Sequence, residues 1–200
     1  MLQPRPWFLA AFVLYTVGIK LVPYVLYQFG MSIDPETTTY PWNFSPLYAL
    51  CLFGAAHFAQ TRWSYAVPLV AALLTDLGIG LLTGQLAFAV YPYQPFVYGA
   101  TVLMITMGLY LRKDRSISAL VGVGAGSSLV FFLVSNFGVW LLSGNPRFTP
   151  DLAGLMTCYV DALPFLRNGL ISMAVFGAVL FSPVALKSGQ RDVRPALAAE

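Results

Sequence analysis

Charge is scarce in this chain. Asp, Glu, Lys and Arg make up 10% of its 200 residues, against about 25% in a soluble domain. That shortage excludes water as the main solvent. The formal net charge is only +3, and the basic residues are dispersed, so no nucleic-acid surface is expected. Histidine occurs once, at His57, and cysteine twice, at Cys51 and Cys158. One histidine excludes haem and zinc sites built on paired histidines, and no Cys/His cluster offers a metal centre. A disulfide would need the two Cα atoms within about 7 Å of each other; buried packing thiols are the simpler reading. The glycines give no phosphate loop, because no Lys-Ser/Thr follows them and no strand precedes them. No internal repeat is found. No metal, cofactor or enzymatic chemistry is expected.

Apolar residues are abundant. The chain is 58% hydrophobic, with a mean hydropathy of +0.72. Inside a bilayer, backbone groups must bond within the protein, which leaves helices or a closed barrel. A barrel strand alternates apolar and polar residues over about 10 positions. Continuous runs such as residues 67–74 and 130–134 do not alternate, so the fold class is all-α. A polytopic bundle of six transmembrane helices is expected, at residues 7–29, 46–59, 65–82, 96–111, 117–142 and 164–186. Residues 1–186 then form one membrane domain and residues 187–200 a cytoplasmic tail.

Local signals refine the ends. Ser45 reads as an N-cap with Pro46 at the first helical position. Thr149-Pro150-Asp151 reads as a helix start. It predicts a short interfacial helix from Pro150 to about Val160, or else one broken helix kinked at Pro164. Asp161 reads as an N-cap for the last span. Gly80 and Gly84, and Gly122 and Gly126, are small-residue pairs suited to close helix approach. The first span has a charged start at Arg5 but no cleavage pattern, so it reads as an uncleaved helix.

Topology follows from Lys and Arg in the short loops. Arg5, Arg62, Arg112, Lys113, Arg115, Lys187, Arg191 and Arg194 fall on one side. The other side holds Arg147 and the region of Arg167. Both termini are therefore expected in the cytoplasm, with the chain multi-pass in a bacterial inner membrane.

Within that frame a few polar residues fall inside the spans, in the outer half. These are Lys20, Asp76, Asn136, Trp140, Arg167 and Asn168, with Tyr159 just before the last span as a further candidate. On the first span, Thr16, Lys20, Tyr24 and Tyr27 share one helical face. A charge at mid-membrane is costly enough to need a reason. One reason is a water-accessible ligand cavity; the other is a structural Lys20–Asp76 salt bridge. In the cavity reading, Lys20 and Arg167 hold a carboxylate or phosphate. Tyr24, Tyr27, Trp140 and Tyr159 stack a ring. The stiff aromatic run Tyr91-Pro92-Tyr93-Gln94-Pro95 then closes over the site as a lid, or alternatively forms an interfacial aromatic belt.

Several motifs carry a family resemblance. Asn43-Phe44-Ser45-Pro46 with Ala49-Leu50 resembles the opening of the second span in a bacterial family of small membrane proteins without an assigned substrate. Leu74-Thr75-Asp76, Ser135-Asn136-Phe137 with Val139-Trp140, Gly154-Leu155, Cys158-Tyr159, and Ala162-Leu163-Pro164-Phe165 with Arg167-Asn168 are similar to its later spans. The layout of that family resembles the substrate-binding S components of energy-coupling-factor transporters. The resemblance implies cytoplasmic termini, a small-molecule ligand under the outer loops, and energising transporter subunits as partners. One departure stands out. S components often carry Ala-x-x-x-Ala in the first helix for docking, whereas Ala10 is followed at the fourth position by Leu14, and Ala11 by Tyr15.

The expected function is a membrane-embedded small-molecule binding and uptake component with an outer polar cavity. The alternative is a structural or assembly subunit without ligand. A more distant one is an intramembrane aspartyl protease using Asp76 and Asp161, although its Gly-x-Gly-Asp motif is missing.

Overall fold

The computed structural model describes residues 2–31 and 44–188. Asn43, Arg191, Arg194 and the rest of the expected tail beyond Ser188 lie outside the described residues. Six α-helices carry the fold: α1 Pro6–Gln28, α2 Leu47–His57, α3 Thr61–Thr83, α4 Gln94–Gly108, α5 Ile117–Leu142 and α6 Leu152–Leu180. A 3-10 turn precedes α4 at Leu86–Phe88, and another prolongs it at Leu109–Arg112. The all-helical expectation needs one addition. Two short strands, β1 Leu2–Pro4 and β2 Leu186–Ser188, pair antiparallel, Gln3 opposite Lys187.

Five of the helices are long and apolar enough to cross a membrane: α1, α3, α4 with its extension, α5 and α6. The chain is thus a multi-pass helical membrane protein. The second helix departs from the six-span expectation. Its 11 residues rise only about 16 Å, roughly half of a bilayer core. Yet this shortest helix is the most enclosed element. Ala49, Leu50, Cys51, Leu52 and Ala55 are wholly buried. They meet Met104, Ile105, Leu111 and Leu180 in the main apolar core. Cys51 and Cys158 are free and buried, as packing thiols should be. His57 packs between Phe53 and Phe181, with ring centroids 4.9 and 5.4 Å away.

The helix ends explain the arrangement. A helix leaves its last carbonyls without intrahelical donors, and at the C-terminus of α2 two arginines supply them. Arg112 Nε donates to the Ala55 carbonyl at 2.7 Å and Nη2 to the Phe58 carbonyl at 3.2 Å. Arg115 Nη2 donates to the Ala56 carbonyl at 2.9 Å. The positive side chains also oppose the negative end of the helix dipole. The cluster read as a topology signal is therefore also the cap of α2. The strand pair closes the same end: the Arg5 amide donates to the Ala185 carbonyl at 2.9 Å, and Ala185 and Leu186 join the core beside Leu111. This basic end holds the starts of α1, α3 and α5 and the ends of α2, α4 and α6.

Three sequence readings of helix ends change. The second helix starts one residue late, with Pro46 at the cap position and no side-chain cap. The Ser45 carbonyl instead accepts from Ser172 Oγ at 2.6 Å, which fastens the start of α2 to α6. No separate interfacial helix precedes the last span. A single 29-residue helix, α6, runs through Pro164, because a proline removes one backbone bond and the remaining turns hold. Its cap is Asp151, whose Oδ1 accepts from the Gly154 amide at 2.8 Å and from the Thr149 hydroxyl at 2.7 Å. Asp161 is not a cap. It lies within α6 and pairs with Arg147 at 2.6 Å, the only ion pair among the described residues.

The glycine pairs divide as well. Gly80 lies against Ala89, so close that a Cβ would fall 2.7 Å from the alanine methyl. Gly84 ends α3 in the left-handed conformation at φ +67°, where glycine has no steric cost. Gly122 faces open space.

A polar cavity where the second helix stops

A cavity of about 740 Å³ opens in the half of the bundle opposite the basic end. Its position follows from α2. That helix fills the centre of the basic half only. Beyond its start the surrounding helices have no partner of full length to pack on. Ser45, Leu47 and Tyr48 at the start of α2 form one wall. Tyr48 fits because residue 169 is a glycine; a Cβ there would fall 2.8 Å from its ring. The other face of Tyr48 meets Phe131, at 4.9 Å between centroids.

Besides α2, six further elements contribute lining residues. From α1 come Thr16, Lys20, Pro23 and Tyr24, and from α3 Thr75, Asp76 and Ile79. The stretch before α4 adds Phe88, Tyr91 and Tyr93, and α4 itself adds Tyr98. From α5 come Phe131, Phe132, Ser135 and Asn136, and from α6 Phe165, Leu166 and Gly169. The wall is therefore rich in aromatic residues, with one cationic and one anionic side chain among the described lining residues.

Asp76 is the most connected of these groups. Its Oδ2 accepts from Tyr98 Oη at 2.8 Å and from Gln94 Nε2 at 3.0 Å, and the Tyr91 hydroxyl lies beside the same carboxylate. Gln94 Nε2 also donates to the Ala89 carbonyl at 2.9 Å. One carboxylate on α3 thus ties down both the aromatic stretch and the first turn of α4. Gln94 and Tyr98 reach it together because they are four residues apart on one helical face. Sequence reasoning missed Tyr98 and Tyr48 as site residues. The Gln94-x-x-x-Tyr98 spacing opposite a buried acid was the available signal.

Lys20 shares the cavity with Asp76, but the two form no direct ion pair. The purely structural salt bridge is therefore absent. Smaller polar groups are committed locally. Thr16, Thr75 and Ser135 each donate to the carbonyl four residues back, and the Asn136 amide donates to the Phe132 carbonyl at 2.8 Å. Such bonds satisfy a hydroxyl or amide inside a helix without a tertiary partner.

The structure brings together only part of the expected set. Lys20, Asp76 and Asn136 converge, and Tyr24 joins them. Trp140, Tyr159, Arg167 and Asn168 do not line this cavity. Trp140 Nε1 donates to the Thr149 carbonyl at 2.9 Å, bracing the turn between α5 and α6. Tyr159 Oη donates to the Leu133 carbonyl at 2.9 Å and packs on Phe132. Asn168 is fully buried within the bundle, and Arg167 is exposed on the outer flank of α6. Tyr27 is 65% exposed and stands clear of the site. Phe88, Tyr91 and Tyr93 do line the cavity, as a covering stretch would.

These features define a multi-pass helical membrane protein with a polar, aromatic cavity at one end. Residues 1–196 match the model of a family of unknown function, DUF6580, and the chain belongs to that family. No curated protein and no solved structure matches it.

Proposed function

We propose that this protein is a membrane-embedded small-molecule binding component of an uptake system, similar in plan to energy-coupling-factor S components. The observation that carries the reading is the cavity itself. Its volume is within the range of small-molecule sites, about 300–1,000 Å³. Its wall combines a Lys and an Asp with several tyrosines, and a cavity built only for packing would be filled with apolar side chains. Lys20 is the cation toward which a carboxylate or phosphate of the ligand turns, and the tyrosine faces stack a ring. Asp76 positions the aromatic stretch over the ligand. In this reading both termini are cytoplasmic, the cavity faces outward in a bacterial inner membrane, and other subunits supply the energy.

A specific observation favours a second reading. Asp76 is already satisfied by donors of the chain, so the network could serve assembly without any ligand. The protease reading has less support, because Asp161 is held by Arg147 and does not line the cavity, and Asp76 has no second carboxylate beside it among the described lining residues.

Native mass spectrometry of the purified protein tests the proposal. A co-purifying small molecule, lost in Lys20→Met while the thermal midpoint stays unchanged, is the expected result. A wild-type protein that carries nothing, and whose cells lose no uptake when it is deleted, would leave the assembly reading standing. Orientation has its own test. A Lys113→Cys variant should resist impermeant thiol reagents in intact cells, and an Arg147→Cys variant should react.

A further inference from the structure

A second, shallow and open hollow lies on the flank of α6, backing onto the cavity at Leu166. Val160, Leu163, Pro164, Leu166, Arg167, Leu170 and Ile171 line it, all from α6. Leu166 apart, their spacing of three, one, three, three and one places them on one helical stripe. The apolar members are well exposed: Val160 57%, Leu163 50% and Ile171 45%. Arg167 is exposed among them, and its guanidinium has no hydrogen-bond or ion-pair partner among the described residues.

Depth and direction make this arginine informative. The exposed Arg147–Asp161 pair, with side chains 65% and 35% accessible, marks a polar level along α6. Arg167 lies six residues further along, about 9 Å deeper. Helical side chains lean toward the helix N-terminus, which here is the end that carries the ion pair. A long arginine stem in this position can follow the stripe toward that end. The groove also offers an acceptor. Pro164 has no N–H, so the Val160 carbonyl lacks its usual helical donor. The site thus presents a fork of five N–H donors beside one under-used carbonyl, above an apolar floor.

We infer that this groove binds a phospholipid of the leaflet on the side of the Arg147–Asp161 pair, through a phosphate held by Arg167. Guanidinium and phosphate pair through two parallel hydrogen bonds. Acyl chain carbons lie along Leu163, Leu170 and Ile171. A head-group hydroxyl, as in phosphatidylglycerol, donates to the Val160 carbonyl. The occupant is a lipid because Arg167 has no partner among the described residues and stands on an exposed apolar stripe of a span-length helix, where lipid phosphate is the anion at hand. The proposal is independent of the cavity and of whatever ligand the cavity takes.

The test uses the full chain in nanodiscs of phosphatidylcholine containing a minority of phosphatidylglycerol, with retained lipid counted by native mass spectrometry. The wild-type protein should keep one phosphatidylglycerol in clear preference to phosphatidylcholine. Arg167→Gln should lower that preference roughly tenfold, and Arg167→Lys should retain part of it, because lysine offers charge without the fork. Ile171→Trp keeps the arginine and fills the groove, so it should also lower retention. Unchanged retention in Arg167→Gln, or in Ile171→Trp, would overturn the inference. A photoreactive residue at position 163 should cross-link to lipid. Cross-linking to a second copy or to another protein helix would show that the groove is a protein interface instead.

Discussion

The two ends of this bundle solve opposite problems with the same helices. At the basic end every helix has a full set of neighbours, and α2 fills the centre with small and medium apolar side chains. The arginines there bond to backbone carbonyls. At the other end α2 is missing, and the same five long helices surround a cavity. The charged groups there, Lys20 and Asp76, line the cavity, and Asp76 accepts from Tyr98 and Gln94. Close packing stabilises the first end, and polar networks shape the second. Under the proposed function, stability and binding are separable in this fold, and substitutions at the two ends should have different signatures.

The largest effect is expected from Arg112→Ala. It removes donors from the Ala55 and Phe58 carbonyls and from the Thr61 and Ser64 hydroxyls. Leaving part-buried acceptors unmet should cost about 3 kcal/mol, read as a lower denaturation midpoint in detergent. A loss near zero would mean that water serves the end of α2 equally well, and the contrast between the two ends would weaken. Gly108→Val comes next. A Cβ at residue 108 falls 2.9 Å from the Ala55 methyl, and overpacking of this kind costs about 1–3 kcal/mol. Ligand retention should be preserved in whatever fraction remains folded.

At the cavity end Asp76→Ala should behave differently. The global midpoint should move by less than about 1 kcal/mol, because the freed Tyr98 and Gln94 groups sit in a space with room for water. Amide exchange over residues 84–93 should accelerate instead, because their tie to α3 is gone. A large global loss with no local change would assign Asp76 to the core rather than to the covering stretch.

The smallest effect concerns pH. The Gly154 amide, and then the Thr149 hydroxyl, hold the Asp151 carboxyl below its ordinary value. A depressed folded-state value gives a contribution that is present above the unfolded value of about 3.9 and is lost as pH falls through the folded one. Exchange at the Gly154 amide should therefore rise only in acid, below about pH 4. Asp151→Asn keeps an N-cap acceptor and should flatten that response.

Much of the fold was legible because a membrane makes hydropathy decisive. The fifth span is observed at the predicted residues, 117–142, and α1 and α3 begin and end within a few residues of expectation. The status of α2 was not legible. Its composition is that of a span, and only tertiary packing shows that it stops halfway. The continuity of α6 was hidden because Pro164 signals a break, whereas here it costs one bond on an exposed flank. In the site, Lys20 and Asp76 stood out because charge is expensive at that depth. Trp140, Tyr159, Arg167 and Asn168 do not line the cavity that Lys20 and Asp76 share. Spacing along a helix gives the level of a side chain. The side it faces can be read only where a long stripe fixes the rotation, as Thr16, Lys20 and Tyr24 do on α1.

The half-length of α2 also gives the cavity a scale measured in residues. Each residue added at the start of that helix would advance its tip by about 1.5 Å into the open space, and each one removed would withdraw it by the same step. The Ser45 carbonyl, held by Ser172, acts as the stop that sets the present position. The size of the cavity can therefore change by lengthening or shortening one central plug, while the five outer helices stay as they are.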